Sequence, residues 1–95
     1  MRFEWDAEKA RSNLAKHGVA FEDAQFVWDD PLHVVVFDRV EDFEERWRAI
    51  GIVGPVTLIV VVHVYSDATE EERIRIISAR RATAHERRQY EQENA

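Results

Sequence analysis

The segment from Thr57 to Tyr65 is the most conformationally committed part of the chain: six of its nine residues are β-branched. Such side chains are stiff at χ1 and favour the pleated backbone over a helix. The run is also far short of the ~20 apolar residues a membrane span needs. It therefore predicts a strand. Period-2 alternation sends Ile59, Val61, His63 and Tyr65 to one face, and Leu58, Val60, Val62 and Val64 to the other. The second face is wholly apolar and is expected to be core, while His63 and Tyr65 close the opposite face near the strand's end.

Three further strands flank it. Leu32–Asp38 and Arg46–Val53 precede it, separated by a charged turn at Glu41–Glu45, and Gly54-Pro55 breaks the chain before Thr57. A charged hairpin loop, Asp67–Glu72, leads to the last strand, Arg73–Arg80. Helices bracket this block. Asp6 reads as an N-cap for a helix that stops at Gly18, with Lys16 and His17 in its last turn. Ala7, Ala10 and Leu14 form its expected buried stripe, and Lys9, Asn13 and Lys16 share another face. Phe21–Trp28 is a second short helix ended by Asp29-Asp30-Pro31. Thr83 and Glu86 make the capping box of a terminal helix. Consecutive strands with short loops pair as an antiparallel meander, with Arg2–Trp5 a candidate extra strand and the helices gathered on one face. The expectation is a single α+β domain over residues 1–95: a four-stranded sheet with two N-terminal helices and one C-terminal helix.

Composition narrows the function. The chain has no cysteine, which excludes disulfides and thiolate metal sites. The opening Met1-Arg2-Phe3-Glu4-Trp5-Asp6 is too charged for a signal peptide, so a cytoplasmic location is expected, away from membranes. Net charge is −6, unlike the basic footprint of a general nucleic-acid coat protein. The charge is segregated, however. Residues 1–45 hold twelve acids and five bases, a balance of −7, whereas Arg73–Tyr90 holds six arginines against Glu86 alone, a balance of +5.

Arginine forks onto phosphate and stays charged at any working pH, so a strand seeded with arginines is a candidate phosphate-facing surface. Arg75 and Arg80 differ in parity along that strand and can serve one site only if a bulge intervenes or the strand ends before Arg80. Otherwise their stems simply cover a solvated outer face. His63 titrates near neutrality and suits acid–base work, or is a half-exposed strand histidine with no task. Lys16-His17-Gly18 offers cations to a phosphate but is better accounted for by dipole complementation and a glycine cap. Asp67 with Glu70, Glu71 and Glu72 reads as a solvated loop, and no metal or cofactor motif is present.

The chain resembles the BrnT toxins of type II toxin–antitoxin systems, small ribonucleases with a RelE-like fold. The resemblance rests on Phe3-Glu4-Trp5-Asp6, Lys9, Asn13, Lys16-His17-Gly18, Phe21, Ala24, Asp30-Pro31, Glu45-Arg46, Gly51, Val60-Val61-Val62-His63, Ile74 to Ala82, Glu86 and Tyr90. It implies a metal-independent endoribonuclease that arrests translation. Its partner would be a ribbon-helix-helix antitoxin of the BrnA kind, in a heterotetramer that reaches operator DNA only through the antitoxin. With RNA as substrate, Arg75 and Arg80 become the expected phosphate and transition-state ligands, Arg46 a further phosphate contact and His63 the acid–base candidate. Lys16, His17 and Arg81 are the expected flanking substrate contacts. The alternative is a catalytically silent RelE-like binding module that acts only through its partner.

Overall fold

The computed structural model describes residues 1–66 and 72–95. The expected Asp67–Glu72 loop and the acidic cluster within it fall, except for Glu72, outside the described residues. In chain order the elements are β1 (Arg2–Glu4), α1 (Ala7–His17), α2 (Phe21–Ala24) continued by a 3-10 turn (Gln25–Asp29), β2 (Val34–Glu41), β3 (Glu44–Val53), β4 (Thr57–Ser66), β5 (Arg73–Arg81) and α3 (Ala84–Glu93). Strands β2 to β5 form the expected antiparallel meander. The short β1 joins it as a parallel partner of β5, giving the sheet order β1-β5-β4-β3-β2.

The caps lie where the residue types require them. Asp6 accepts from the Glu8 and Lys9 amides at 2.9 and 3.0 Å, and Gly18 takes φ 71° while its amide donates to Leu14 O at 2.8 Å. Thr83 and Glu86 form the capping box that starts α3. The hairpin between β2 and β3 turns on two left-handed residues, Asp42 (φ 52°) and Phe43 (φ 64°). That is the geometry of a two-residue primed turn, which favours Gly at the second position. A bulky residue there is strained, and Phe43 gains no burial in exchange, since it is fully exposed. Replacing it with glycine relieves ~1–2 kcal/mol of left-handed strain and returns part of that through unfolded-chain entropy. Phe43→Gly is therefore expected to raise the thermal midpoint by a few degrees in a melting experiment.

The helices divide between the two faces of the sheet, which corrects the expectation that they share one. Val19, Phe21, Ala24 and Val27 pack with Ala49, Ile59, Val61, Ile76 and Ala79, whereas Tyr90 of α3 packs with Ile50, Leu58 and Val60. Because Ala49 pairs with Val61 and Ile50 with Val60, these two sets point to opposite sides. Both faces of β4 are thus covered. Gly51 permits the close approach on the α2 side: a Cβ there would stand 2.9 Å from Val27 Cγ1 and 3.1 Å from its carbonyl oxygen.

A second correction concerns α1. Leu14 is half exposed, and the residue that the helix buries is Asn13. Its side chain donates to Ala79 O (2.8 Å) and Val19 O (3.0 Å) and accepts from Ala79 N (3.1 Å). Asn13 so occupies the place of a strand residue on the open edge of β5, beyond the reach of β1, which pairs only with Arg73–Arg75. A polar residue on a helix face reads as solvated from sequence. Here the unpaired backbone of an edge strand supplies its partners. Asn13→Ala leaves two buried backbone groups of Ala79 unsatisfied and should cost about 2–3 kcal/mol, read as a lowered urea midpoint.

Candidate active site

Between Arg75 and Arg80 the ladder slips by one residue. Val62 pairs with Ser78 and His63 with Ile76, so Ile77 is the extra residue of a β-bulge. Arg75 then stands opposite Val64 and Arg80 opposite Val60. Both arginines therefore project from the α3 side of the sheet, meeting the condition that their parity imposed. Arg48 stands opposite Val62, and Arg46, two residues earlier on β3, shares that face.

Beyond the end of α3 this face holds an alternating set of guanidinium and carboxylate groups. Arg75 Nη2 lies 2.6 Å from Glu44 Oε1, and Arg46 Nη1 lies 3.0 Å from Glu41 Oε2. Arg48 Nη1 donates to Glu86 Oε2 at 2.9 Å, while its Nε lies 3.3 Å from Asp38 Oδ1, off hydrogen-bond alignment. Arg80 forks onto the same Glu86 through Nη1 (2.6 Å) and Nη2 (2.9 Å). These four arginines meet four carboxylates, and Arg39 and Arg73 share the same face, so it keeps a modest excess of positive charge. Arg46 Nε is buried with no acceptor among the described residues, a donor left over from the pairing.

Glu86 is the centre of this set. Its carboxylate is almost fully buried, and it also accepts from the Thr83 amide at 2.9 Å. Burial alone would raise its pKa. The bonds from Arg80, Thr83 and Arg48 outweigh that and hold it at about 2. Arg80 is pushed above its usual value, chiefly by its hydrogen bonds to Glu86. The other end of α3 is tied by Tyr90, whose hydroxyl donates to Asp30 Oδ2 at 2.7 Å and whose pKa burial and Asp30 push to about 12.

The expected site residues fall into two groups. Arg46, Arg75 and Arg80 are brought together, as described. His63 is not with them. It is completely buried on the opposite face, its ring 4.8 Å from that of Trp28, with Nδ1 3.0 Å from Val61 O. Desolvation lowers its pKa and favours the neutral ring. Expecting that face of β4 to be half exposed overlooked the aromatic cover provided by the 3-10 turn. Arg81 also lies on the α1–α2 side, opposite Ile59, in a cleft with Gly18, Asp23 and Thr57. Lys16 and His17 line a shallow groove with Lys9, Asn13, Ile77 and Ser78 at the edge of β5. Arg48 is the member that sequence reading missed. Its spacing from Arg46 in one strand placed it on the same face from the outset.

The Glu86 contacts carry a pH signature. A carboxylate whose folded pKa is depressed contributes stability above its unfolded value and loses it as pH falls through the folded one. Between about pH 4.5 and pH 2 the chain should lose roughly 3 kcal/mol through this group. Glu86→Gln should flatten that part of the stability–pH curve in denaturant titrations.

The geometry agrees with what the chain resembles. The model of the "Ribonuclease toxin, BrnT, of type II toxin-antitoxin system" family matches residues 5–86. Among solved structures, the 1.1 Å crystal structure of the Brucella abortus ribonuclease toxin BrnT is similar at TM-score 0.66 and 28% identity, over 87% of this chain and 97% of that one. No curated protein sequence matches. The two matches converge with the arginine-bearing α+β sheet, and the chain belongs to the BrnT family of ribonuclease toxins of type II toxin–antitoxin systems.

Proposed function

We propose that this ribonuclease toxin cleaves RNA without a metal, as an endoribonuclease that arrests translation, on the face bearing Arg46, Arg48, Arg75 and Arg80. One observation carries the assignment: Arg48 and Arg80 converge on the two oxygens of a single carboxylate, the arrangement that also fits two oxygens of a phosphate. Glu86 is the positioning group. It holds both guanidinium planes while each keeps further N–H donors for substrate, five being available per arginine. Arg46 and Arg75 extend the grip to the flanking phosphates.

The neighbouring 2′-oxygen, its proton lost to water, forms a bond to phosphorus as the P–O5′ bond breaks and the 5′-oxygen takes a proton from water, by way of a pentacoordinate phosphorane dianion. Charge develops on its non-bridging oxygens, so donors fixed in advance stabilise it more than the diester ground state. Each such donor is worth ~2.7–4 kcal/mol by analogy with an oxyanion hole. Phosphate binding by pre-formed guanidinium pairs avoids the reorganisation that free arginines would require. His63 has no part in this scheme, because its ring is sealed on the far side of the sheet. Lys16, His17 and Arg81 serve at most as outlying contacts for a strand that wraps the β5 edge. Neutralisation falls to a ribbon-helix-helix antitoxin of the BrnA kind, as a heterotetramer that also engages operator DNA.

The test is cleavage of a long single-stranded RNA in excess EDTA by the antitoxin-free chain and by Arg80→Lys. Lysine keeps the charge beside Glu86 but loses the fork. The expected result is robust cleavage by the wild type and a ~10²–10³-fold loss in Arg80→Lys, with circular dichroism unchanged. Equal cleavage by the folded variant removes Arg80 from the site, and dependence on added metal overturns the metal-free scheme.

A further inference from the structure

Among the described residues, no helix covers the reverse side of the same sheet end. Helices α1 and α2 and the 3-10 turn cover β5, β4 and the near part of β3, and their cover ends at His63 and Trp28. Past that point a row of rings continues outward. The ring of Tyr65 lies 4.9 Å from that of His63, that of Trp47 6.3 Å from Tyr65, and that of Phe37 5.4 Å from Trp47. The register puts Phe37 opposite Trp47, and Trp47 opposite His63, so the row runs across β4, β3 and β2 on one face. The slip of pairing between Phe37 and Arg39 sets Val40 opposite Glu45, on the same face as Trp47. Phe37 is 48% exposed, Val40 62%, and Phe43 at the hairpin tip fully so. The inner end of the row is locked into the core, so the surface is pre-organised.

An apolar patch of this kind takes either nucleobases, which stack on rings, or the apolar side of a protein segment. The charge around it decides. From Asp38 to Glu45 there are five acids, Asp38, Glu41, Asp42, Glu44 and Glu45, against Arg39, a balance of −4. Asp38, Glu41 and Glu44 are engaged by arginines on the other side of the sheet. Glu45 is exposed on the aromatic side with no ion pair among the described residues, and Asp42 is 85% exposed with only a 3.9 Å contact to Arg46. Phosphates would be repelled there, whereas Lys and Arg side chains flanking an apolar stripe would be attracted. Phe43 adds to the case, because it stands in solvent at a backbone position that disfavours it.

We infer that the Phe37–Val40–Phe43–Trp47–Tyr65 face is the docking surface for a cationic amphipathic segment of the antitoxin. The inference rests on the family's toxin–antitoxin pairing, which implies such a partner. It assigns antitoxin and RNA to opposite faces of one sheet end. The hairpin links them, since Glu41 and Glu44, which engage Arg46 and Arg75, flank the same turn as Phe43.

The experiment is isothermal titration of the full chain with the antitoxin encoded beside it, alongside the RNA-cleavage assay on the same samples. Phe37→Asp/Val40→Asp should weaken antitoxin binding at least 100-fold while leaving circular dichroism and RNA cleavage at wild-type levels. Glu45→Lys should weaken it about 10-fold at low salt and less at high salt, as expected for a rim charge. If the double variant fails to fold, Phe43→Ser, which removes no core contact, should still weaken binding about 10-fold. Wild-type affinity in the folded variants overturns the inference. So does reduced cleavage with antitoxin binding intact, which would make the face a base-stacking platform. A wild-type chain that cuts RNA but does not bind the antitoxin also sinks it and leaves the ribonuclease reading standing. Tight binding by a chain that cuts no RNA would count against that reading alone.

Discussion

The bulge at Ile77 is the constraint on which the arrangement of the arginines depends. In an unbroken β5, Arg75 and Arg80 would face opposite sides of the sheet, and no common site would exist. The slip is held from both directions. Pairing with β1 fixes the register of Arg73–Arg75, and the Asn13 amide fixes the backbone of Ala79. The extra residue is therefore trapped between two independent clamps. One of them belongs to a helix more than sixty residues away in sequence.

The same logic explains why α3 lies where it does. The helix is polar and buries little besides Tyr90 and Glu86. Hydrophobic area alone would hold it weakly. It is instead held at two polar points, Glu86 on the arginines and Tyr90 on Asp30, with Asn94 reaching Leu32 O at 2.9 Å. Asp30 also accepts from the Leu32 and Ile52 amides, both at 2.9 Å, so it joins the end of the 3-10 turn, β3 and α3. Burying ionised groups in this way is tolerable only when every oxygen finds a donor, as here.

Much of this was legible in the residues, and what was not has a definite cause. Asp6, Gly18, Thr83 and Glu86 announced the helix boundaries through local chemistry, which depends on few neighbours. The strand spans followed from β-branched runs, with ends that shifted by a few residues. The family likeness, too, was carried by motifs such as Ile74 to Ala82. Parity arguments left a bulge or an earlier strand end as the two ways to a shared site, but no residue between Arg75 and Arg80 decides between them, because register is settled by the partners across the sheet. His63 shows the same limit. Alternation gave the correct side of β4, yet whether that side was covered depended on Trp28, remote in sequence. Leu14 and Asn13 exchanged roles because burial of a polar residue is decided by the open backbone edge opposite it.

The carboxylates set among the arginines would change how RNA is met on the proposed site. A cluster of bare arginines would draw polyanions from several ångströms away and shed counterions on contact, giving a steep dependence of affinity on salt. Here Asp38, Glu41, Glu44 and Glu86 already stand where counterions would. Most of the positive charge of the surface is thus compensated at a distance, while its donors remain available at contact. Long-range steering of RNA to the proposed site would be weakened, and recognition would rest more on hydrogen-bond geometry within it. Such a site would favour a well-placed phosphate over bulk polyanion, with a shallower dependence on salt than a cluster of unpaired arginines.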